Sequence, residues 1–297
     1  MTRILLTGST GQVGAELTTT LASVGELLAC DHRRLDLADP AAIRATVREF
    51  RPTIIVNAAA YTAVDLAESE PDLAMAVNGA APGVFAEEAV RTGALLVHYS
   101  TDYVFNGEQP NPYTEEDSTD PLNVYGHTKL AGEIAIRATR AKHLILRTSW
   151  VYGATGKNFL VTIRRLAAAR DELKVVNDQF GAPTWCRDIA TATAAMLGHL
   201  TAIDHVRAAD LGGTYNLSAE GATSWYQFAA AIFADSPLEP ESRRAKLVAI
   251  PSSEYPTPAA RPRNSVLAHD KLHRRFGLKL PPWRTSLQAC LAGLAAK

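Results

Sequence analysis

Close to its amino end the chain passes from an apolar run, Arg3 to Leu6, through Thr7-Gly8-Ser9-Thr10-Gly11-Gln12-Val13-Gly14 into a helical pattern over Gln12 to Ser23. A strand that turns through spaced glycines directly into a helix leaves few folds open. The glycines allow a tight turn, let the backbone approach a pyrophosphate, and let the helix pack close to the strand. The helix start adds N–H groups and a positive dipole end. Any Gly-rich turn between strand and helix shares these letters, so position carries the argument. The next apolar run, Glu26 to Cys30, ends at Asp31, about 17 residues past Gly14 and near the spacing at which an acid meets a ribose diol. Together these point to a bound dinucleotide. His32, Arg33 and Arg34 follow; they either face a 2′-phosphate or form a solvated basic turn, so NADPH and NADH both stand as cofactors.

Apolar runs continue at Thr53 to Asn57, Ala94 to Ser100 and His143 to Thr148, nearly all without polar alternation. Strands buried on both faces read this way. Between them lie helical stretches: Ala41 to Phe50 behind an Asp39-Pro40 start, Leu73 to Thr92, and Val124 to Ala141. The alternation predicts an α/β fold, a Rossmann-type doubly wound parallel sheet. With 297 residues, the chain is long enough for about two domains. After Thr148 the character changes, and a smaller α/β substrate-binding lobe is expected over 150–183 and 218–268. The dinucleotide domain is expected over 1–149, with segments near 184–217 and the carboxyl-terminal helix returning to it.

Thirty basic residues against thirty-one acidic ones leave no overall field to hold a polyanion, which disfavours nucleic acid and membrane surfaces as partners. No run of apolar residues reaches the length of a membrane span, and the early glycines interrupt any signal-peptide core, so the chain reads as cytoplasmic. Cys30, Cys186 and Cys290 are odd in number and far apart. They read as buried thiols, not as a disulfide framework or a zinc site.

Tyr125-Gly126-His127-Thr128-Lys129 places a phenol and an ammonium on one helix face. An ammonium, helped by an oxidised nicotinamide, would favour the phenolate and draw the phenol toward working pH. An exposed helix face gives the same spacing, so context decides. The fourth apolar run ends in Ser100-Thr101-Asp102, hydroxyls at the sheet edge where α/β ligands bind. There Thr101 would polarise a carbonyl while Tyr125 transfers a proton; strand-end hydrogen bonding is the plain alternative. Asn57-Ala58-Ala59-Ala60 ends the third run in small residues, which suits either a close nicotinamide ribose or core packing.

These elements together resemble the extended short-chain dehydrogenase/reductase family. The segments TGQVG, NAAAYTAVDLAESEP, HYSTDYVFNG, PLNVYGHTKLAGE, LRTSWVYG, NDQFGAPT and YPTPAARPRNS are similar to those of members that reduce dTDP-4-dehydro-L-rhamnose at C4, the last step of dTDP-L-rhamnose biosynthesis. The resemblance implies Thr101, Tyr125 and Lys129 as the catalytic set. It implies Gly8, Gly11, Gln12 and Val13 at the pyrophosphate, Asp31 at the adenosine ribose, Asp36 and Leu37 at the adenine edge, and Ala59, Ala60 and Thr62 toward the nicotinamide. Val64, Thr101, Asp102 and Trp150 would surround the sugar, with Asn158, Arg261 and Asn264 toward the nucleotide diphosphate. For Arg261 there is a physical case, because a guanidinium grips phosphate oxygens bidentately in this Pro-stiffened Arg261-Pro262-Arg263 segment. A solvated loop arginine is the other reading.

Sugar-nucleotide dehydratases of the superfamily place Asp then Glu after the Thr; here Asp102 and Tyr103 follow, which argues against elimination. Some members dimerise around magnesium through glutamates. Glu16 matches the first of them, but Trp185-Cys186-Arg187 stands at a later one and Trp283 to Lys297 contains no acid. No bound magnesium is therefore expected, and the chain is expected as a monomer or a weak dimer without a metal bridge. Two further readings remain open: a nucleotide-sugar C4 epimerase that retains its NAD, and a non-catalytic regulatory subunit of the same fold. His98 and His127 have no partner legible in the sequence.

Overall fold

The computed structural model describes residues 2–202, 210–236 and 245–295. The first half alternates β1 (Arg3–Thr7), α1 (Gln12–Leu21), β2 (Glu26–Cys30), α2 (Pro40–Phe50), β3 (Ile54–Asn57), α3 (Val64–Ala67), α4 (Pro71–Met75), α5 (Ala81–Thr92), β4 (Leu95–Thr101), α6 (Val124–Arg137) and β5 (Lys142–Thr148). The second half contains β6 (Val151–Tyr152), α7 (Phe159–Ala169), β7 (Glu172–Val176), β8 (Phe180–Gly181), β9 (Thr184–Trp185), α8 (Cys186–Ala202), β10 (Gly213–Asn216), β11 (Thr223–Ser224) and β12 (Lys246–Ile250). Helices Trp225–Asp235, Asp270–Phe276 and Trp283–Ala295 complete it.

Six parallel strands lie in the order β2-β1-β3-β4-β5-β10. Their side chains alternate between two cores, as a strand's period of two requires. Ile4, Leu6, Val97, Tyr99, Leu144 and Leu146 face α1 and α8. Leu5, Ile55, Leu96 and Ile145 face the opposite layer, which includes Ile43 and Val47 of α2 and Phe85 of α5. The chain runs outward from β1 to β2, then crosses back to β3. That reversal opens a crevice at the carboxyl ends of β1 and β3, where α/β sheets bind ligands.

The Asp39-Pro40 start of α2 forms as the sequence indicates: the Asp39 carboxylate accepts from Ala41 N at 2.9 Å and Ala42 N at 3.1 Å. Such a cap stabilises a helix by about 1 kcal/mol. The stretch expected as one helix over Leu73 to Thr92 is instead α4 and α5 joined by a π turn at Ala76–Ala80. Pro82 supplies the reason, since it offers no amide to the carbonyl of Asn78 and its ring would crowd it. The widened turn leaves Asn78 buried, donating to Tyr61 O at 3.0 Å and Thr128 Oγ1 at 3.2 Å.

A third core joins Tyr152, Leu160 and Ile163 to Leu173, Phe228 and Ile232, beneath the parallel pair β7 and β12. Both segments singled out near Ala190 and Tyr215 lie on the large sheet, α8 against α1 and β10 beside β5. The carboxyl-terminal helix, expected there too, packs on β9 and the Trp225–Asp235 helix, with Leu287, Cys290 and Leu291 in the third core. Its apolar stripe matches that core equally well, which is why periodicity could not choose between them. Residues 203–209 and 237–244, within the expected return segment and lobe, fall outside the described residues. All three cysteines are buried free thiols. No helix of the described residues is long and apolar enough to cross a membrane.

One buried charge holds α5 to α2. Glu88, 1% exposed, accepts from Arg44, Arg48 and Arg91. Burial alone would raise its carboxyl, but hydrogen bonds from Arg48, Arg91 and Arg44 outweigh that and hold it at about 2. Its folded value therefore lies below an unfolded value of about 4.3. The stability it contributes is fully present above that unfolded value and is lost as pH falls toward 2. Glu88→Gln should cost about 3 kcal/mol, the scale of leaving one side of a buried ion pair uncompensated. Urea unfolding at neutral pH and near pH 3 is the check: the gap between variant and wild type should narrow at the lower pH.

Candidate active site

At the crevice the backbone leaves no room for side chains. Gly8 has φ +69°, and a Cβ there would lie 2.7 Å from Ala59 N. A Cβ on Gly14 would lie 1.9 Å from Gly8 O. The turn therefore presses against both the helix it feeds and the end of β3. Gly11 precedes α1 without a side-chain cap, and the buried Gln12 Oε1 has no hydrogen-bond partner. A helix start of this kind suits a pyrophosphate. Asp31 stands at the end of β2, accepting from Arg34 N at 2.9 Å, with the exposed His32, Arg33 and Arg34 beside it. Asp36 accepts from Ala38 N at 2.9 Å, while the Leu37 side chain is buried in the core. Only the Leu37 backbone is available at an adenine edge. These features fit a dinucleotide along β1, α1 and β2.

Thr101 ends β4, and its hydroxyl lies in contact with Asp102 Oδ1 at 3.0 Å and Tyr103 N at 3.2 Å. Asp102 is buried and receives the Ser149 hydroxyl at 2.8 Å; burial pushes its carboxyl up to about 6 against hydrogen bonds from Ser265, Ser149 and Thr101. Tyr125 enters from the first turn of α6. That turn is capped by Asn123, whose Oδ1 accepts from Gly126 N at 2.8 Å. Gly126 is required because a Cβ would lie 2.3 Å from Tyr103 O. This close approach sets the start of α6, and with it Tyr125, against the segment that follows Thr101. Burial raises the Tyr125 phenol to about 12, with Thr101 lowering and Asp102 raising it.

Lys129, expected to draw the Tyr125 phenol toward working pH, follows it by one turn on α6. Lys129 is fully buried, donates to Tyr99 O at 2.6 Å and lies 3.4 Å from His98 Nε2. Burial pushes it down to about 8, with Glu133 acting the other way. Glu133 is gripped in turn by Arg147, through Nε at 2.9 Å and Nη2 at 2.8 Å. This buried pair fastening α6 to β5 has no sequence signal, because its partners are distant and belong to residue types usually exposed.

Of the residues expected around a sugar, Thr101 and Asp102 adjoin at the end of β4 and Val64 follows β3 on the same edge, as does Thr62, expected toward the nicotinamide. Trp150 adopts φ +45°, and its indole stacks on Trp225 at 3.5 Å between centroids. Gly181 packs against its face, since a Cβ there would lie 2.4 Å from Trp150 Cε2. The expected diphosphate residues are differently engaged. Asn158 caps α7, accepting from Val161 N and donating to Gly153 O and Thr155 O, each at 3.0 Å. Arg261 holds Asp65 bidentately at 2.6 and 2.8 Å, so its fork is already filled by a carboxylate. Asn264 donates to Gln109 O at 2.7 Å and Asn111 O at 3.2 Å. Arg261 and Asn264 nevertheless line a cavity of about 930 Å³, together with Gln109, Phe180 and Arg263. The last three were not singled out as site residues; the second arginine of Arg261-Pro262-Arg263 was the available signal. Glu16 pairs with Arg187 at 3.2 Å.

A dinucleotide crevice beside a Thr-Tyr pair at the carboxyl edge of a parallel sheet defines a nucleotide-dependent oxidoreductase of the short-chain dehydrogenase type. The chain belongs to the family described as the RmlD substrate binding domain, which matches residues 1–296. It is 46% identical to a dTDP-4-dehydrorhamnose reductase of Burkholderia thailandensis, over 99% of this chain and 100% of the relative. A dTDP-4-dehydrorhamnose reductase structure from Clostridium acetobutylicum is similar with TM-score 0.90 and 36% identity, covering 99% of each chain. Another, from Bacillus anthracis in complex with NADP, is similar with TM-score 0.88 and 35% identity, covering 99% of this chain and 100% of that one.

Gly14→Ala should abolish dinucleotide binding, followed by fluorescence titration, because the added methyl overlaps the Gly8 carbonyl. Gly93→Ala, where no atom lies within 4 Å of the new Cβ, should bind normally. It should lose only the ~1 kcal/mol associated with a left-handed helix end.

Proposed function

We propose that this chain is an NAD(P)H-dependent dTDP-4-dehydrorhamnose reductase, converting the C4 carbonyl of dTDP-4-dehydro-L-rhamnose to the alcohol of dTDP-L-rhamnose in the cytoplasm. The observation that carries the reading is the close approach of Gly126 to Tyr103 O, which sets Tyr125 at the start of α6 against the Thr101 end of β4, on the sheet edge that holds the Gly8 turn. The family and the full-length relatives support it.

Gly8, Gly11, Gln12 and Val13 hold the pyrophosphate, Asp31 the adenosine ribose, Asp36 and the Leu37 backbone the adenine edge, and Ala59, Ala60 and Thr62 the nicotinamide side. When bound, the reduced dinucleotide supplies the hydride. Thr101 donates to the substrate carbonyl oxygen, and Tyr125 gives its proton to that oxygen as charge develops there. A phenol held at about 12 by burial is protonated at neutral pH, the state an acid needs at the start of a reduction. From within α6 Lys129 would hold the cofactor ribose and tune Tyr125 through its ammonium charge. Val64, Asp102 and Trp150 shape the sugar site. Arg261 and Asn264 form the wall toward the diphosphate, which Arg261 meets by exchanging Asp65 for phosphate oxygens, while Asn158 acts through its cap of α7.

NADPH is the preferred cofactor in this reading, because Arg33 and Arg34 stand beside Asp31, and the NADP complex of the Bacillus anthracis relative supports it. The chain works without bound magnesium, as a monomer or a weak dimer, with Arg187 occupying Glu16. Elemental analysis finding stoichiometric magnesium would overturn that part.

The test follows NADPH and NADH oxidation by dTDP-4-dehydro-L-rhamnose, alongside the corresponding UDP-sugar. Tyr125→Phe should lower kcat by about a hundredfold to ten-thousandfold with dinucleotide binding intact. A variant that kept most of its turnover would refute the assignment of the proton to Tyr125.

A further inference from the structure

Behind the candidate site runs a line of buried polar side chains that neither cofactor nor substrate binding accounts for. Thr7, Asn57 and His98 occupy adjacent register positions near the carboxyl ends of β1, β3 and β4, each at most 1% exposed. Thr7 Oγ1 accepts from Ala59 N at 3.4 Å and donates to Asn57 Oδ1 at 2.7 Å. Asn57 Nδ2 lies 3.1 Å from His98 Nδ1, and His98 Nε2 lies 3.4 Å from Lys129 Nζ. Lys129 finally donates to Tyr99 O.

The direction of donation runs along the row. Thr7 Oγ1 accepts from the Ala59 amide on one lone pair and gives its one hydrogen to Asn57 Oδ1. That turns the amide hydrogens of Asn57 toward His98 Nδ1, which must be bare. The single hydrogen of a neutral imidazole is then on Nε2, aimed at Lys129. Burial and the nearby Lys129 both keep His98 from protonating.

We propose that His98 is a positioning residue for Lys129: its Nε2–H donates to the lysine nitrogen, opposes the ammonium form, and so sets the pH at which Lys129 takes up its proton. The other groups facing Lys129 are Tyr99 O on β4 and Glu133 on α6. Arg147 on β5 and Arg137 on α6 are both committed to Glu133. Of these, Glu133 favours the ammonium, and His98 is the neutral donor set against it. The row also ties the lysine to Ala59 and to the strand that leads into the Gly8 turn, so cofactor floor and lysine share one support.

The turnover readout rests on the reductase function proposed above, so the experiment has two arms. In the first, kcat is measured against pH for wild type, His98→Leu and His98→Gln. Leu removes the opposing N–H, and the alkaline limb should move up by about one pH unit, the size of one lost hydrogen bond. Gln, which accepts from Asn57 and offers an N–H toward Lys129, should restore the wild-type limb. A limb unmoved or moved to lower pH in the Leu variant, or moved equally in both variants, overturns the proposal. The second arm needs neither substrate nor a variant that folds. Nitrogen NMR of histidine-labelled wild type should show His98 neutral, with Nε2 protonated and Nδ1 bare. The opposite tautomer, or an imidazolium, overturns the proposal whatever the enzyme reduces. Absence of turnover by wild type would count against the proposed function alone and leave this arm to decide.

Discussion

The close approach of the ends of β1 and β3 governs everything at the carboxyl edge of the sheet. Less than 3 Å separates a Cβ position on Gly8 from the Ala59 backbone, and Gly14 lies tighter still against Gly8 O. Contacts this short put a helix start, a strand end and a small-residue loop within one crevice, and the crossover that reverses strand order keeps the crevice open. The same convergence lines up Thr7, Asn57 and His98 near their strand ends. The floor for a cofactor and the support for Lys129 are thus one piece of backbone geometry.

Two kinds of electrostatics operate on the site. Burial dominates near the reacting groups: it holds Tyr125 as a phenol at about 12, lifts Asp102 to about 6, and lowers Lys129 to about 8. Ion pairs dominate where elements are fastened, as at Glu88 between α2 and α5 and at Glu133 between α6 and β5, where arginines overcome the cost of burying a carboxylate. The Arg261–Asp65 pair spans both roles, since it ties Arg261 to α3 and stands at the wall of the cavity of about 930 Å³. Trp150 has an unusual backbone held by Trp225 and Gly181.

The parallel sheet was legible because strands buried on both faces carry continuous apolar runs, and the start of α2 because Asp39-Pro40 leaves a local signal. That Thr101 ends a strand and that Tyr125 and Lys129 share a helix was legible from spacing and position. Less was legible wherever an outcome depends on distant partners. The π turn depends on how Pro82 meets a helix that must also bury Asn78. The carboxyl-terminal helix could satisfy either of two cores. That Asn158 caps α7 and Arg261 pairs with Asp65 was not legible, because free side chains and engaged ones are spelled alike.

By itself, then, the sequence determined the nucleotide crevice, the order of strands and helices, and which residue types stand at the strand ends, because glycine spacing, apolar periodicity and caps act over a few residues. Only the tertiary structure decided that Lys129 is buried against His98, that Arg261 grips Asp65, and that Glu133 lies between two arginines. Those outcomes depend on pairing and desolvation between groups remote in the chain, and a buried charge takes its properties from whichever partner the fold delivers.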